Sequence, residues 1–242
     1  LTDLSTNTMT SIQANLVKIS DHAYWYFDPA FIPSTTALEK TVRVYEEIIH
    51  PRITTFFGQE WVPGVDNDPH LTILHAYFDG GSGYFSSLDE YPAYIRPFSN
   101  QREMIYMNLN VLNMATPEYF GTLAHELQHA IHWFNDSTEE AWVNEGLSEV
   151  ARGLAGYNFS FAHHFLGSPS IQLNHWPADN DLTPPHYGAS ALFIEYLSQH
   201  YGGYENLGML VGNQKDGIAG INDYLKELDF DVSFDDVFKN WL

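Results

Sequence analysis

The chain has 242 residues, 44% hydrophobic and 17% charged, enough for one large domain or two small lobes around a sizeable core. Against 31 Asp and Glu it carries only 10 Lys and Arg, and the net charge of −21 excludes nucleic acid and anionic membranes as partners, because phosphates are repelled. With no cysteine, disulfides, thiolate metal sites and Cys nucleophiles are excluded, so any metal must be held by His, carboxylates and water.

The opening LTDLSTNTMTS is polar, does not start with Met and carries no basic-then-apolar leader, so the chain reads as a mature or trimmed form. No apolar run approaches the length of a membrane span. Residues Asn15 to Phe27 are rich in β-branched and aromatic types and predict one or two strands. A helix follows, with Thr36 as cap, Glu39 three residues on, and Leu38, Val42, Tyr45 and Ile49 at helical spacing. Pro51 interrupts or kinks it before Gly58. His70 to Phe78 predicts a buried strand, Gly80 to Ser87 a glycine-rich turn leading into an exposed strand or loop, and Glu103 to Leu109 another strand.

Beyond residue 115 the pattern turns helical. Thr116-Pro117-Glu118 is a helix start: a capping hydroxyl, Pro at the first helical position and an acid in the first turn. That helix runs to about Phe134. Ser137-Thr138-Glu139-Glu140 predicts a capping box and a second helix ending near Gly153 or Gly156. Further helices are expected over Tyr187–His200, Glu205–Val211, Ile218–Leu228 and Phe234–Leu242. The expectation is a single α+β domain, strand-rich over about 1–115 and helical over about 116–242, with a site in the cleft between.

The chemistry concentrates in LAHELQHAIHW. His125 and His129 are four apart on a predicted helix, so both imidazoles leave one face a turn apart and can bind one tetrahedral zinc. Glu126 flanks that face and can reach a water beside the metal as general base; this is the HExxH arrangement. A catalytic zinc needs a third protein ligand and an open position. The metzincin pattern fails, since His132 and Asn135 occupy the positions where it needs Gly and His. Asp136 sits in the predicted turn and would have to fold back. The second helix offers Glu145 and Glu149 on one face, flanked by apolar Trp142, Val143, Leu147 and Val150. Buried carboxylates need partners. Glu145 is therefore the expected third ligand, and Glu149, one turn on, is expected to accept from His125 and fix its tautomer. His132 reads as a cleft-wall or helix-surface residue, and His163 and His164 as structural or supporting residues.

HELQH followed by WVNEGLSE resembles the gluzincin metallopeptidases, which pair HExxH with a downstream Asn-Glu-x-x-x-Asp/Glu. Within that group the chain is most similar to the hyicolysin family of secreted bacterial zinc peptidases, through Gly83–Phe85, Ser99–Leu109, Thr122–Trp133, Asn144–Glu149 and Tyr187–Leu197. The similarity spans roughly residues 15 to 242, and its specific motifs the middle third. It implies a thermolysin-like zincin fold, bound zinc, hydrolysis of peptide or protein substrates and a secreted or cell-surface location. Glu149 departs from the Asp that thermolysin carries there. The C-terminal helix reads as cut where relatives continue, so further domains are expected. In gluzincins a downstream Tyr or His assists the oxyanion; Tyr187 is favoured for this over His186.

The segment Gly81–Ser86 is a candidate edge for pairing with a peptide. The acidity leaves room for a structural calcium, although no EF-hand-like loop is present. Two rivals stand beside the peptidase reading: a zinc-binding but non-hydrolytic binding or adhesion module of a larger secreted or surface protein, and an acidic structural domain with a coincidental His–Glu cluster.

Overall fold

A computed structural model describes residues 1–6 and 8–242. The first half is built on a mixed five-stranded sheet. Strands β3 (Asn15–Ile19) and β4 (Ala23–Phe27) form an antiparallel hairpin, and β5 (Leu71–Ala76) joins β4 in parallel. Strand β7 (Met104–Asn108) continues in parallel beside β5, and β6 (Gly83–Phe85) closes the sheet as an antiparallel edge, giving the order β3-β4-β5-β7-β6. A small hairpin, β1 (Thr2–Asp3) with β2 (Thr8–Met9), which the polar opening did not suggest, lies apart from this sheet.

Strands β5 and β7 are buried throughout, as parallel strands covered on both faces must be. Alternation sorts their side chains. Leu71, Ile73, Ile105 and Met107 join Trp25 and Phe27 in the main core, while Leu74, Ala76, Met104 and Tyr106 form a smaller core with Leu1, Leu4 and Ile12.

Two helices cross from β4 to β5: α1 (Thr35–Val44) and α2 (His50–Phe57). Ser34, not Thr36, caps α1, accepting from the Ala37 N–H at 3.2 Å. A π turn over Tyr45–Ile49 links the two without breaking the rod. Pro51 lacks an N–H and its ring crowds the carbonyl a turn earlier; the wider turn ahead of it accommodates that crowding, and the predicted interruption of the α winding falls there.

The second half is helical: α3 (Pro117–Asn135), α4 (Ala141–Leu154), α5 (Ala162–Gly167), α6 (Pro184–His200), α7 (Leu207–Val211), α8 (Gly217–Glu227) and α9 (Phe234–Trp241). Helix α3 packs on β6, β7, α2 and α4, and α4 packs on α6. The arrangement is α+β, strands first and helices second. No helix among the described residues is long and apolar enough to cross a membrane.

Candidate metal centre

Thr116 caps α3 by accepting from the Tyr119 N–H at 3.3 Å, with Pro117 at the first helical position, so the helix starts where its local sequence dictates. Nineteen residues then carry His125, Glu126 and His129 past the edge strand β6. The approach is close: a Cβ on Gly83 would stand 2.9 Å from Thr122 Cγ2 and 3.1 Å from Glu126 Cγ, so a side chain there would push strand from helix. The α3–α4 turn differs from the expected capping box. Asp136 Oδ1 accepts from the Thr138 backbone N–H at 3.0 Å and hydroxyl at 2.9 Å, and α4 begins at Ala141 behind Glu140, whose side chain caps nothing. Glu140, the acid of the expected box, stands at the N-cap itself and accepts from Trp142 Nε1 at 2.7 Å.

The structure brings His125, His129 and Glu145 together: one ligand atom from each lies within 4.8 Å of the others. The imidazole Nε2 atoms are 3.0 Å apart, and Glu145 Oε2 is 3.2 Å from His125 Nε2 and 3.4 Å from His129 Nε2. The outer nitrogens are engaged. His125 Nδ1 lies 3.1 Å from Glu149 Oε1, and His129 Nδ1 lies 3.1 Å from Ser148 Oγ. With protons on Nδ1 donated to those oxygens, both Nε2 atoms turn lone pairs toward each other and toward Glu145 Oε2, which is buried without a hydrogen-bond partner. Three lone-pair atoms crowded together repel unless a proton or a metal cation stands among them. Two imidazoles and a carboxylate match the donor set of a catalytic zinc, so these residues fit that metal.

Glu149, 2% exposed, is held on three sides: His125 Nδ1 and the Ser160 hydroxyl at 3.1 Å from Oε1, and the Ser160 N–H at 2.6 Å from Oε2. Burial works to raise its pKa, but the His125 contact, the Ser160 N–H and Arg152 outweigh it and hold Glu149 below its ordinary value. Glu145 is likewise driven low, its burial overcome by His129 and His125. Without a metal, burial opposes charging of His125, but Glu145, Glu149 and Glu126 raise it to about 10. Glu126 is 5% exposed and moves the other way: burial raises it against the pull of both histidines.

A cleft of about 890 Å³ opens over the cluster, lined by His125, Glu126, His129, Glu145, the Gly80–Phe85 edge and Tyr187. Tyr187 stands with its ring 6.4 Å from that of His125. Burial and the neighbouring Glu145 and Glu126 push its hydroxyl well above the usual phenol range, keeping it a donor. Tyr187 and His186 lie inside the first turns of α6 rather than before it, because Pro184 and Pro185 suit the helix start. From that turn Tyr187 reaches the cleft, while His186 turns toward His175 and Trp176, 5.9 and 6.2 Å away, and does not line it.

His132 corrects the cleft-wall expectation: it is fully buried, since the 136–140 turn and α4 enclose that face of α3. Asp136 does not reach the first cluster; it groups with His132 and Glu139. His163 and His164 are exposed on α5, outside the cleft lining. Ser148 and Ser160 escaped sequence reasoning. The only signal for Ser148 was its helical register three residues past Glu145, and Ser160 is remote in sequence. No family model and no curated protein matches the chain.

Proposed function

We propose that the chain is a zinc-dependent endopeptidase of the gluzincin type, similar to the hyicolysin family, with a thermolysin-like zincin fold and a secreted or cell-surface location. The observation that carries this reading is the convergence of His125 Nε2, His129 Nε2 and Glu145 Oε2 on one point of an open cleft, with the Glu126 carboxylate buried alongside. His125, His129 and Glu145 would hold the zinc. When bound there, zinc supplies a Lewis acid that polarises the scissile carbonyl and acidifies water.

The chain's own groups supply the rest. Glu126 accepts a proton from the attacking water and delivers it to the leaving amine nitrogen. Its raised pKa suits both halves of that transfer, since the carboxyl must hold the proton between them. Tyr187 donates its O–H to the oxygen on which negative charge grows. Glu149 and Ser148 fix the orientation of His125 and His129. The outer edge of β6 offers backbone groups to an extended peptide, which would add as a further strand.

The test is zinc content and digestion of an unfolded protein substrate by the same purified samples. Chelation should abolish turnover of the native protein and zinc should restore it. Glu126→Gln should keep its zinc and lose about 100- to 10,000-fold in turnover, the range for a positioned general base, or about 3–5 kcal/mol of transition-state stabilisation. Native protein that holds zinc and cleaves nothing would instead be the non-hydrolytic binding module. Turnover indifferent to chelator would sink the metallopeptidase reading.

A further inference from the structure

A second cluster lies a turn and a half further along α3. One ligand atom from each of His132, Asp136 and Glu139 lies within 4.8 Å of the others, and His132 Nε2, Asp136 Oδ2 and Glu139 Oε2 are buried without a hydrogen-bond partner. His132 is 0% exposed and Asp136 5%.

Each of the three residues has one polar atom tied down and the other left free. Asp136 Oδ1 is held by the Thr138 N–H and hydroxyl. Glu139 Oε1 accepts from the Gly217 N–H at 2.7 Å and the Glu140 N–H at 2.6 Å. His132 Nδ1 lies 3.4 Å from the Gln128 side-chain amide. The tied atoms orient the side chains, and three anchored side chains that each leave a buried polar atom unpartnered within one cluster make a prepared site.

The charge balance says what occupies it. Two carboxylates face a ring that burial keeps neutral, and Asp216 stands near Glu139. Among the described residues no Lys or Arg pairs with Asp136 or Glu139. A water molecule would satisfy hydrogen bonds, but a cation would also offset the burial that raises Glu139 to about 7. One imidazole with two carboxylates suits a divalent transition cation better than calcium, which takes six to eight oxygens. A cavity of about 280 Å³ is lined by Asp136 and Glu139 and also by His129 and Glu145, so two of the three residues can be reached from it.

We propose that His132, Asp136 and Glu139 bind a second divalent transition cation, of the zinc or manganese class, beside the first. Binding at Nε2 places the imidazole proton on Nδ1. As the structure stands, Ser148 Oγ donates to Gln128 Oε1 at 2.5 Å and the Gln128 NH2 faces His132 Nδ1; metal binding requires that amide to turn end for end and draw back from Ser148 Oγ, so that its oxygen accepts from Nδ1 and its N–H donates to Oγ. The Ser148 hydroxyl then donates to the Asn144 carbonyl at 3.1 Å while still accepting from His129 Nδ1. One buried polar chain thus orients an imidazole at each centre.

The experiment is metal stoichiometry by elemental analysis after loading the chelated whole chain with Zn2+ alone, with Ca2+ as a second arm. The variants are Asp136→Asn, Glu139→Gln and Glu145→Ala. Asp136→Asn and Glu139→Gln can keep the anchoring oxygen and lose only the free one, so folding is preserved, which circular dichroism checks. The expected result is two zinc ions per native chain, and one in each variant. A native chain with one zinc that Asp136→Asn leaves in place overturns the proposal, as do two ions in both. Selective retention of Ca2+ overturns the assignment of the imidazole as a ligand. One zinc lost with Asp136→Asn but kept in Glu145→Ala would support this site and sink the first centre instead, so the two readings fail separately.

Discussion

Glu149 and Ser148 show how far side-chain identity constrains a metal centre. A metal-ligating imidazole works best when its other nitrogen is fixed, and here a carboxylate fixes one ring and a hydroxyl the other. The carboxylate strengthens its imidazole as a donor more than the hydroxyl does. Glu149→Ala should therefore lower zinc affinity by about 10- to 100-fold, and Ser148→Ala by less. Competition against a chelator of known affinity measures both. A Glu149→Ala loss as complete as that of Glu145→Ala would mean that Glu149 ligates the metal. Glu145 and Glu149 were legible from the sequence because a four-residue spacing among apolar neighbours demands buried partners. His132 was not, since its neighbours in sequence do not reveal that the 136–140 turn closes over it. Ser160 holds Glu149 from a segment that no local pattern ties to α4.

At the scale of the elements, local signals held where the chain satisfies itself and failed where a distant segment competes. Thr116-Pro117 starts α3 as its chemistry requires. In Ser137–Glu140 the expected box does not form: its acid, Glu140, becomes the N-cap and turns to Trp142 Nε1, while Thr138 turns to Asp136 and Asp216 and Glu139 to Gly217 on α8. The contact of α4 with α6 decides where Glu145 stands. A Cβ on Gly146 would lie 2.9 Å from the Ser190 carbonyl oxygen and 2.8 Å from Ile194 Cγ1. In a free helix Gly→Ala gains about 1 kcal/mol, but overpacking against a backbone oxygen costs about 1–3 kcal/mol. For Gly146→Ala the overpacking should prevail, with a Tm lower by roughly 2–8 °C. Zinc affinity should fall with it, because Glu145 is the neighbouring residue. Calorimetry with and without zinc tests this, and an unchanged or raised Tm would show that α4 and α6 separate freely.

For the molecule as a whole, stability rests on apolar packing around two imprisoned sets of charges, and its responses to acid and to chelation should differ. His75 is buried on β5 against the Phe27 ring, 4.1 Å away, and burial lowers its pKa to about 4 from the ordinary 6.5. Between those values the unfolded chain binds a proton that the fold refuses, so this contribution is complete above pH 6.5 and is lost as pH falls toward 4. At 1.36 kcal/mol per unit it amounts to about 3 kcal/mol. Glu90, raised to about 8 chiefly by burial, works in the opposite sense over part of that range. The clean quantity is therefore native stability minus that of His75→Gln, which should shrink by about 3 kcal/mol between pH 7 and pH 4. A difference independent of pH would mean that the ring takes up its proton in the fold as readily as in the unfolded chain. Chelation acts elsewhere. The candidate metal ligands join α3 to α4, but Leu123, Leu127, Trp142, Leu147 and Val150 already join them through the core. Removing the metal should leave the secondary structure in place and lower only the margin of stability. A ligand present at 1,000 times its Kd adds about 4 kcal/mol, and a chain of this size shifts by about 2–4 °C per kcal/mol. Chelator should thus lower the Tm by roughly 8–16 °C with the far-ultraviolet dichroism unchanged at 25 °C, and zinc should restore it. Collapse of the dichroism at 25 °C would make the metal a requirement for folding. No shift at all would mean that the convergent histidines and glutamate hold nothing.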